Sequence, residues 1–174
     1  MFKILKTSLE KGLVTKKLSG FPAAEQLEAA GAELRELVRK KFGRSLSIRE
    51  VDAGSCGACE SEVIALSNPL YDMQRFGIDI VASPRHADAL LVAGPVSKNM
   101  ALALKKTWDA MPAPKFAISL GDCALDGGLF KDSYYTERGV KNIIPVALHI
   151  PGCPPKPLDI IKALLVYLDR APRP

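Results

Sequence analysis

Long apolar runs are missing from this chain. No stretch approaches the roughly 20 consecutive apolar residues that a spanning helix requires, and mean hydropathy is only +0.08. Aromatic residues make up 6% of the 174 positions. No helix-turn-helix, RNP-like or zinc-finger pattern accompanies the basic residues, so no nucleic-acid partner is expected. The amino terminus Met1-Phe2-Lys3-Ile4-Leu5-Lys6 has no apolar signal core, no twin-Arg pair and no small-residue cleavage site. The expectation is a cytosolic protein with reduced thiols. Internal repeats and low-complexity tracts are also missing. Nor is there a P-loop, a Rossmann glycine fingerprint or a nucleophile–base constellation, so the chain is not expected to catalyse anything alone.

What is present suits one soluble domain: 48% hydrophobic and 25% charged residues at a length that supports a full core. The net charge of +5 is unevenly placed. Residues 1 to 50 hold 11 Lys and Arg against 6 Glu, whereas the remainder is balanced at 13 against 13. Phe2, Leu5, Leu9 and Leu13 recur at helical spacing among lysines, the pattern of a short amphipathic helix. A clearer helix runs from about Ala23, with Leu27, Ala30, Leu34, Leu37 and Val38 on one face and Gly43 as its stop. We read residues 1–45 as a basic helical extension and residues 46–170 as the main domain.

From residue 46 the period changes. Short β-branched runs fall at 46–51, 78–82, 89–93, 116–120 and 146–150, alternating with helical stretches such as 99–111. Pro157 sits where a first-turn proline is tolerated, ahead of the apolar face Ile160, Ile161, Leu164, Leu165 and Leu168. Alternating strand and helix predicts an α/β fold: an open, mainly parallel, flavodoxin-like sheet with helices on both faces. In such sheets ligands gather outside the carboxyl ends of the strands.

All four cysteines fall in the loops that follow predicted strands. Cys56 and Cys59 follow the first strand, Cys123 the fourth and Cys153 the fifth. A thiolate-lined, four-ligand site at the carboxyl edge suits an iron-sulfur cluster or zinc, and a metal-free thiol pair is the third option. The surroundings favour a cluster. The third and fourth cysteines stand singly beside glycines rather than in a second C-x-x-C knuckle, and Gly54, Gly57, Gly121 and Gly152 let backbone N–H groups approach sulfur.

The strings Gly54-Ser55-Cys56-Gly57-Ala58-Cys59-Glu60-Ser61-Glu62, Ser83-Pro84-Arg85-His86-Ala87-Asp88-Ala89, Gly94-Pro95-Val96, Gly121-Asp122-Cys123-Ala124 and Ile150-Pro151-Gly152-Cys153-Pro154-Pro155 occur in this order. Together they resemble the iron-sulfur subunit shared by complex I and membrane-bound nickel-iron hydrogenases, over residues 48 to 168. C-x-x-C at the first pair is similar to the hydrogenase branch, since the complex I branch has adjacent cysteines there. The likeness is to the short small subunits of energy-converting hydrogenases of the formate hydrogenlyase type. The resemblance implies one 4Fe-4S cluster held by Cys56, Cys59, Cys123 and Cys153. It implies electron transfer to or from a nickel-iron large subunit, with a ferredoxin-like iron-sulfur subunit and integral membrane subunits as further partners. The place would be the cytoplasmic face of the membrane, held peripherally. A complex I-like subunit delivering electrons to quinone, and a zinc-bound structural adaptor, are the alternatives.

The resemblance also implies a proton-path role for Glu62, whose local reading is a carboxylate on the opening turn of a helix. Arg85, His86 and Asp88 are expected on the ligand-bearing edge, as a local ion pair or as contacts to the large subunit. His149 reads as a satisfied strand-end histidine, Met73, Met100 and Met111 as packing residues, and Asp122 and Asp126 as turn formers.

Overall fold

The run Ala89–Ala93 is buried at every position, as expected of a central strand covered on both faces. It is β3 of a five-stranded sheet whose order is β2-β1-β3-β4-β5. The other strands are β1 Leu46–Asp52, β2 Ile78–Ile80, β4 Phe116–Leu120 and β5 Leu148–Ile150. Every pairing is parallel. The flavodoxin-like α/β architecture read from the periodicity is therefore the fold. The computed structural model describes Lys6, Glu10 and residues 22 to 171. The amphipathic pattern at Phe2, Leu5, Leu9 and Leu13 lies outside the described residues.

Alternation along each strand splits the core into two layers. Leu46, Ile48, Leu91, Ile118, Leu120 and Ile150 face helices α1 (Pro22–Phe42), α2 (Ala58–Leu66) and α5 (Pro157–Arg170). Val51, Leu90, Val92 and Ala117 face α3 (Lys98–Ala110) and the loops beside it, where Leu104, Met111, Val140 and Ile144 are buried. Helix α1 ends where Gly43, at φ 67°, donates its N–H to the Arg39 carbonyl. Lys41 donates to the carbonyl of Ala171, joining the ends of α1 and α5. Leu27, Leu34 and Val38 of α1 belong to the same core layer as Ile161, Leu164 and Leu168 of α5.

The chain turns to β2 on one side of β1 and then to β3 on the other. In open parallel sheets such a reversal marks where ligands bind, here at the carboxyl ends of β1 and β3. The opposite, amino edge holds Asp88, contrary to the expectation that placed it near the cysteines. Its carboxylate accepts from Arg44 Nη1 at 2.8 Å, from Arg44 Nη2 at 2.7 Å and from the Ser47 N–H at 3.0 Å. The physical reason is position: Asp88 immediately precedes β3, so it lies at that strand's entrance rather than its exit. Arg85 and His86 form a short 3-10 turn between β2 and β3, exposed and begun by Ser83 accepting from the Arg85 N–H.

Candidate metal centre

Asp52, the last residue of β1, accepts from the N–H groups of Gly54 and Ser55, each at 2.8 Å. This Asx turn lifts the chain out of the sheet plane and leaves Cys56 exposed. Gly57, at φ 86°, then reverses the backbone into α2, whose first turn contains Cys59. The Ser55 hydroxyl donates to Glu60 Oε1 at 2.6 Å and accepts from the Gly57 N–H at 3.0 Å, tying the loop to the helix it opens. Here the structure corrects a detail of the sequence reading. The carboxylate on the opening turn of α2 is Glu60, and Glu62 lies on the next turn.

The other two thiols arrive on separate loops. Cys123 lies in α4 (Asp122–Asp126), directly after β4, and Cys153 follows β5. Three hydrogen bonds fasten these loops together: Gly121 N–H to the Ile150 carbonyl at 2.8 Å, Asp122 N–H to the Gly152 carbonyl at 2.9 Å, and Gly152 N–H to Asp122 Oδ1 at 2.9 Å. Asp122 is thus a bridge between two cysteine loops as well as a turn former. Asp126 is the local kind, accepting from the Gly128 N–H at 2.9 Å.

The loop after β4 also presses on the first pair. A Cβ at Gly121 would lie 2.8 Å from Cys59 Sγ, and one at Gly128 would lie 3.0 Å from Cys123 Sγ. Both glycines have positive φ, so the backbone is cradled against sulfur in a conformation side chains resist.

The electrostatics report the same convergence. Burial pushes the Cys59 thiol up to about 12, with Glu60, Cys56, Cys123 and Cys153 adding in the same direction. Burial also raises Cys123, against the Leu129 N–H, which lowers it, with smaller raising effects from Cys153, Cys56 and Asp122. Four thiols from three loops therefore sense one another at one edge. A raised Cys59 is the reverse of the lowered thiol that a redox-active C-x-x-C needs. Among the described residues no three Cys, His, Asp or Glu side chains close on a single ion's coordination shell.

His149 and the methionines are as expected. The Ser119 hydroxyl lies 2.9 Å from His149 Nδ1, and Met73 and Met111 are core residues. Sequence reasoning missed Glu50. Its Oε1, Glu60 Oε2 and Arg49 Nε are buried side-chain atoms without a hydrogen-bond partner. Only the alternation along β1, which turns Glu50 to the α2 side with Ile48, signals this in the sequence.

A parallel 2-1-3-4-5 sheet with thiols gathered from three loops on its carboxyl edge defines an α/β domain with a cysteine-bearing rim. The chain belongs to the NADH ubiquinone oxidoreductase 20 kDa subunit family, whose model matches residues 56–167 and so takes in all four cysteines. It is 42% identical over 139 residues to formate hydrogenlyase subunit 7 of Escherichia coli strain K12, covering 80% of this chain and 54% of that protein. It is 41% identical over 131 residues to a probable membrane-bound hydrogenase subunit of Pyrococcus furiosus, covering 75% and 78%. Among solved structures, a chain of the membrane-bound sulfane sulfur reductase, an archaeal respiratory membrane complex, superposes with a TM-score of 0.65 at 31% identity, covering 79% of this chain and 74% of that one. The chain therefore spans about half the length of the first of these relatives and about three quarters of the others.

Proposed function

We propose that the chain is an electron-transfer subunit that carries one 4Fe-4S cluster on Cys56, Cys59, Cys123 and Cys153 and serves the nickel-iron large subunit of a membrane-bound hydrogenase. The observation that supports this most is geometric: three loops at the carboxyl edge carry the four cysteines, the β4 and β5 loops are hydrogen-bonded together, and Gly121 of the β4 loop lies against Cys59 Sγ. The donor set and the glycine cradle fit such a group. Four thiolates complete its ligation, and Gly121 and Gly128 leave room where any side chain would strike sulfur. When bound, the cluster supplies a one-electron centre. The chain's own residues do the rest. Gly128 sets the backbone of the loop after α4 directly against the Cys123 sulfur. Cys59, in the first turn of α2, is buried against the β4 loop at Gly121.

The C-x-x-C spacing and the formate hydrogenlyase and membrane-bound hydrogenase names of two relatives favour the nickel-iron reading. A complex I-like subunit that hands electrons to quinone or another acceptor is the second reading, favoured by the family to which the chain belongs. In the assembly we place a ferredoxin-like subunit as electron partner and integral membrane subunits beneath, with the chain peripheral on the cytoplasmic face. No helix among the described residues is long and apolar enough to cross a membrane. The basic first 45 residues are our candidate for contact with the membrane arm.

Anaerobic purification with iron and sulfide analysis, visible absorption and EPR tests the cluster. A brown protein with a reduced-state EPR signal that is lost in Cys→Ala variants is expected. A colourless protein with stoichiometric zinc overturns the redox reading in favour of the structural adaptor. Glu62 is our proposed proton-path residue. Glu62→Gln is expected to slow hydrogen turnover while leaving the EPR signal intact, and unchanged turnover removes it from the path.

A further inference from the structure

Away from the thiols, the sheet ends at β5, an edge strand with no strand beyond it among the described residues. Between β5 and α5 lies an open groove of about 590 Å³ lined by Leu148, His149, Lys162, Val166, Tyr167 and Arg170, together with two alanines. Its lining contains cations and apolar surface but no carboxylate. Val166 is 48% exposed in the middle of it. We propose that this groove receives an extended segment of a neighbouring subunit, laid along β5 and carrying the pattern acidic-x-apolar-x-acidic.

The spacing sets the pattern. Lys162, Val166 and Arg170 lie at successive i, i+4 positions of α5, so each step rises about 6 Å along the helix. In an extended strand the residues i, i+2 and i+4 share one face and advance about 6.6 Å per step. Two carboxylates flanking one apolar side chain thus meet Lys162 and Arg170 while the apolar group covers Val166. An unpaired edge supplies the main-chain half of such recognition, and uncovered edges are otherwise aggregation templates.

Other occupants fit less well. Residues 1 to 21 hold five lysines against one glutamate, so that segment carries the charge of the groove's own rim. A second copy of the chain offers one acid pair at i, i+4 spacing around an apolar residue, Asp122 and Asp126 about Ala124, and it is folded into α4. The inference rests on the chain's working within an assembly of subunits, not on the cluster, so EPR of the same sample reports the cluster separately.

The test places a photoreactive benzoylphenylalanine at Val166 in the assembled complex, with the same residue at Leu102, an exposed position on α3, as the control. The expected product is a cross-link to another subunit, mapped by mass spectrometry to a stretch of the stated pattern. Its yield should fall at least tenfold when Lys162→Glu and Arg170→Glu are added, with the circular dichroism spectrum unchanged. Cross-links to lipid, to a second copy of this chain or to a helical segment overturn the proposal. So does a yield no higher than at Leu102, or one that survives charge reversal.

Discussion

Two glycines show how differently one residue type acts at the two edges of the sheet. Gly43 and Gly121 both have positive φ, but a Cβ at Gly43 meets nothing within 4 Å whereas one at Gly121 meets Cys59 Sγ. Gly43→Ala is expected to cost only the left-handed backbone penalty, about 1–2 kcal/mol, read from chemical denaturation. Gly121→Ala is expected to cost more and also to release most of the iron, because the added methyl displaces a ligand. A Gly121→Ala protein with full iron content contradicts the cradle. Glu50 supports a second test. Burial, then Glu60 and Asp52, hold its carboxyl above the ordinary value of 4.5, with Arg49 pulling the other way. The folded chain binds this proton more tightly than the unfolded chain. The resulting stabilisation is complete below the ordinary value and fades as pH rises through the folded one. Glu50→Gln is therefore expected to gain stability relative to the parent as pH rises above the ordinary carboxyl value of 4.5. Thermal melts across that range check it, and a flat difference refutes it. The thiols and their glycines were legible in the sequence because chemistry concentrates in four rare residues. Glu50 and Glu60 were not, because a carboxylate's burial is decided by how α2 settles on β1.

At the scale of elements, hydrophobic period carried the reading far. All five strands lie where β-branched runs predicted them, and Pro157 opens α5 as expected. Strands β2 and β5 are shorter than their apolar runs, 78–80 and 148–150. Both are edge strands with one neighbour each, so pairing, not side-chain character, limits their length. The role of α1 was harder to read, since periodicity shows an apolar face without naming what it meets. That face meets α5: Leu34 is fully buried in the layer that includes Ile161 and Leu164. Leu34→Ala is accordingly expected to cost about 2–5 kcal/mol, a loss typical of a core position and measurable by urea unfolding. A cost under about 0.5 kcal/mol, the range of surface substitutions, shows α1 to be an appendage.

For the whole molecule, the question is what covers the rim where the thiols lie. The segment after Cys123 leaves Leu129 87% and Tyr134 85% exposed, with Phe130 and Tyr135 beside them. Its backbone is fixed nonetheless. Thr136 bridges to Ser97, and the Glu137 and Gly139 N–H groups donate to the carbonyls of Val96 and Pro95. Large apolar side chains held out on a fixed loop are suited to burial in a partner, and Gly128, set against Cys123 Sγ, makes this loop part of the wall around the thiols. No periodicity marks such a surface in the sequence, which is why only the placement of the cysteines was read there. If the large subunit covers this rim, Leu129→Asp combined with Tyr134→Glu places two charges in a desolvated interface. Co-purification with the large subunit is expected to fall at least about tenfold, the equivalent of 1.4 kcal/mol, while iron content and the isolated EPR signal stay at parent levels. Retained association places the large subunit elsewhere, and loss of iron in the variant shows the loop to be a lid on the centre instead of a docking ridge.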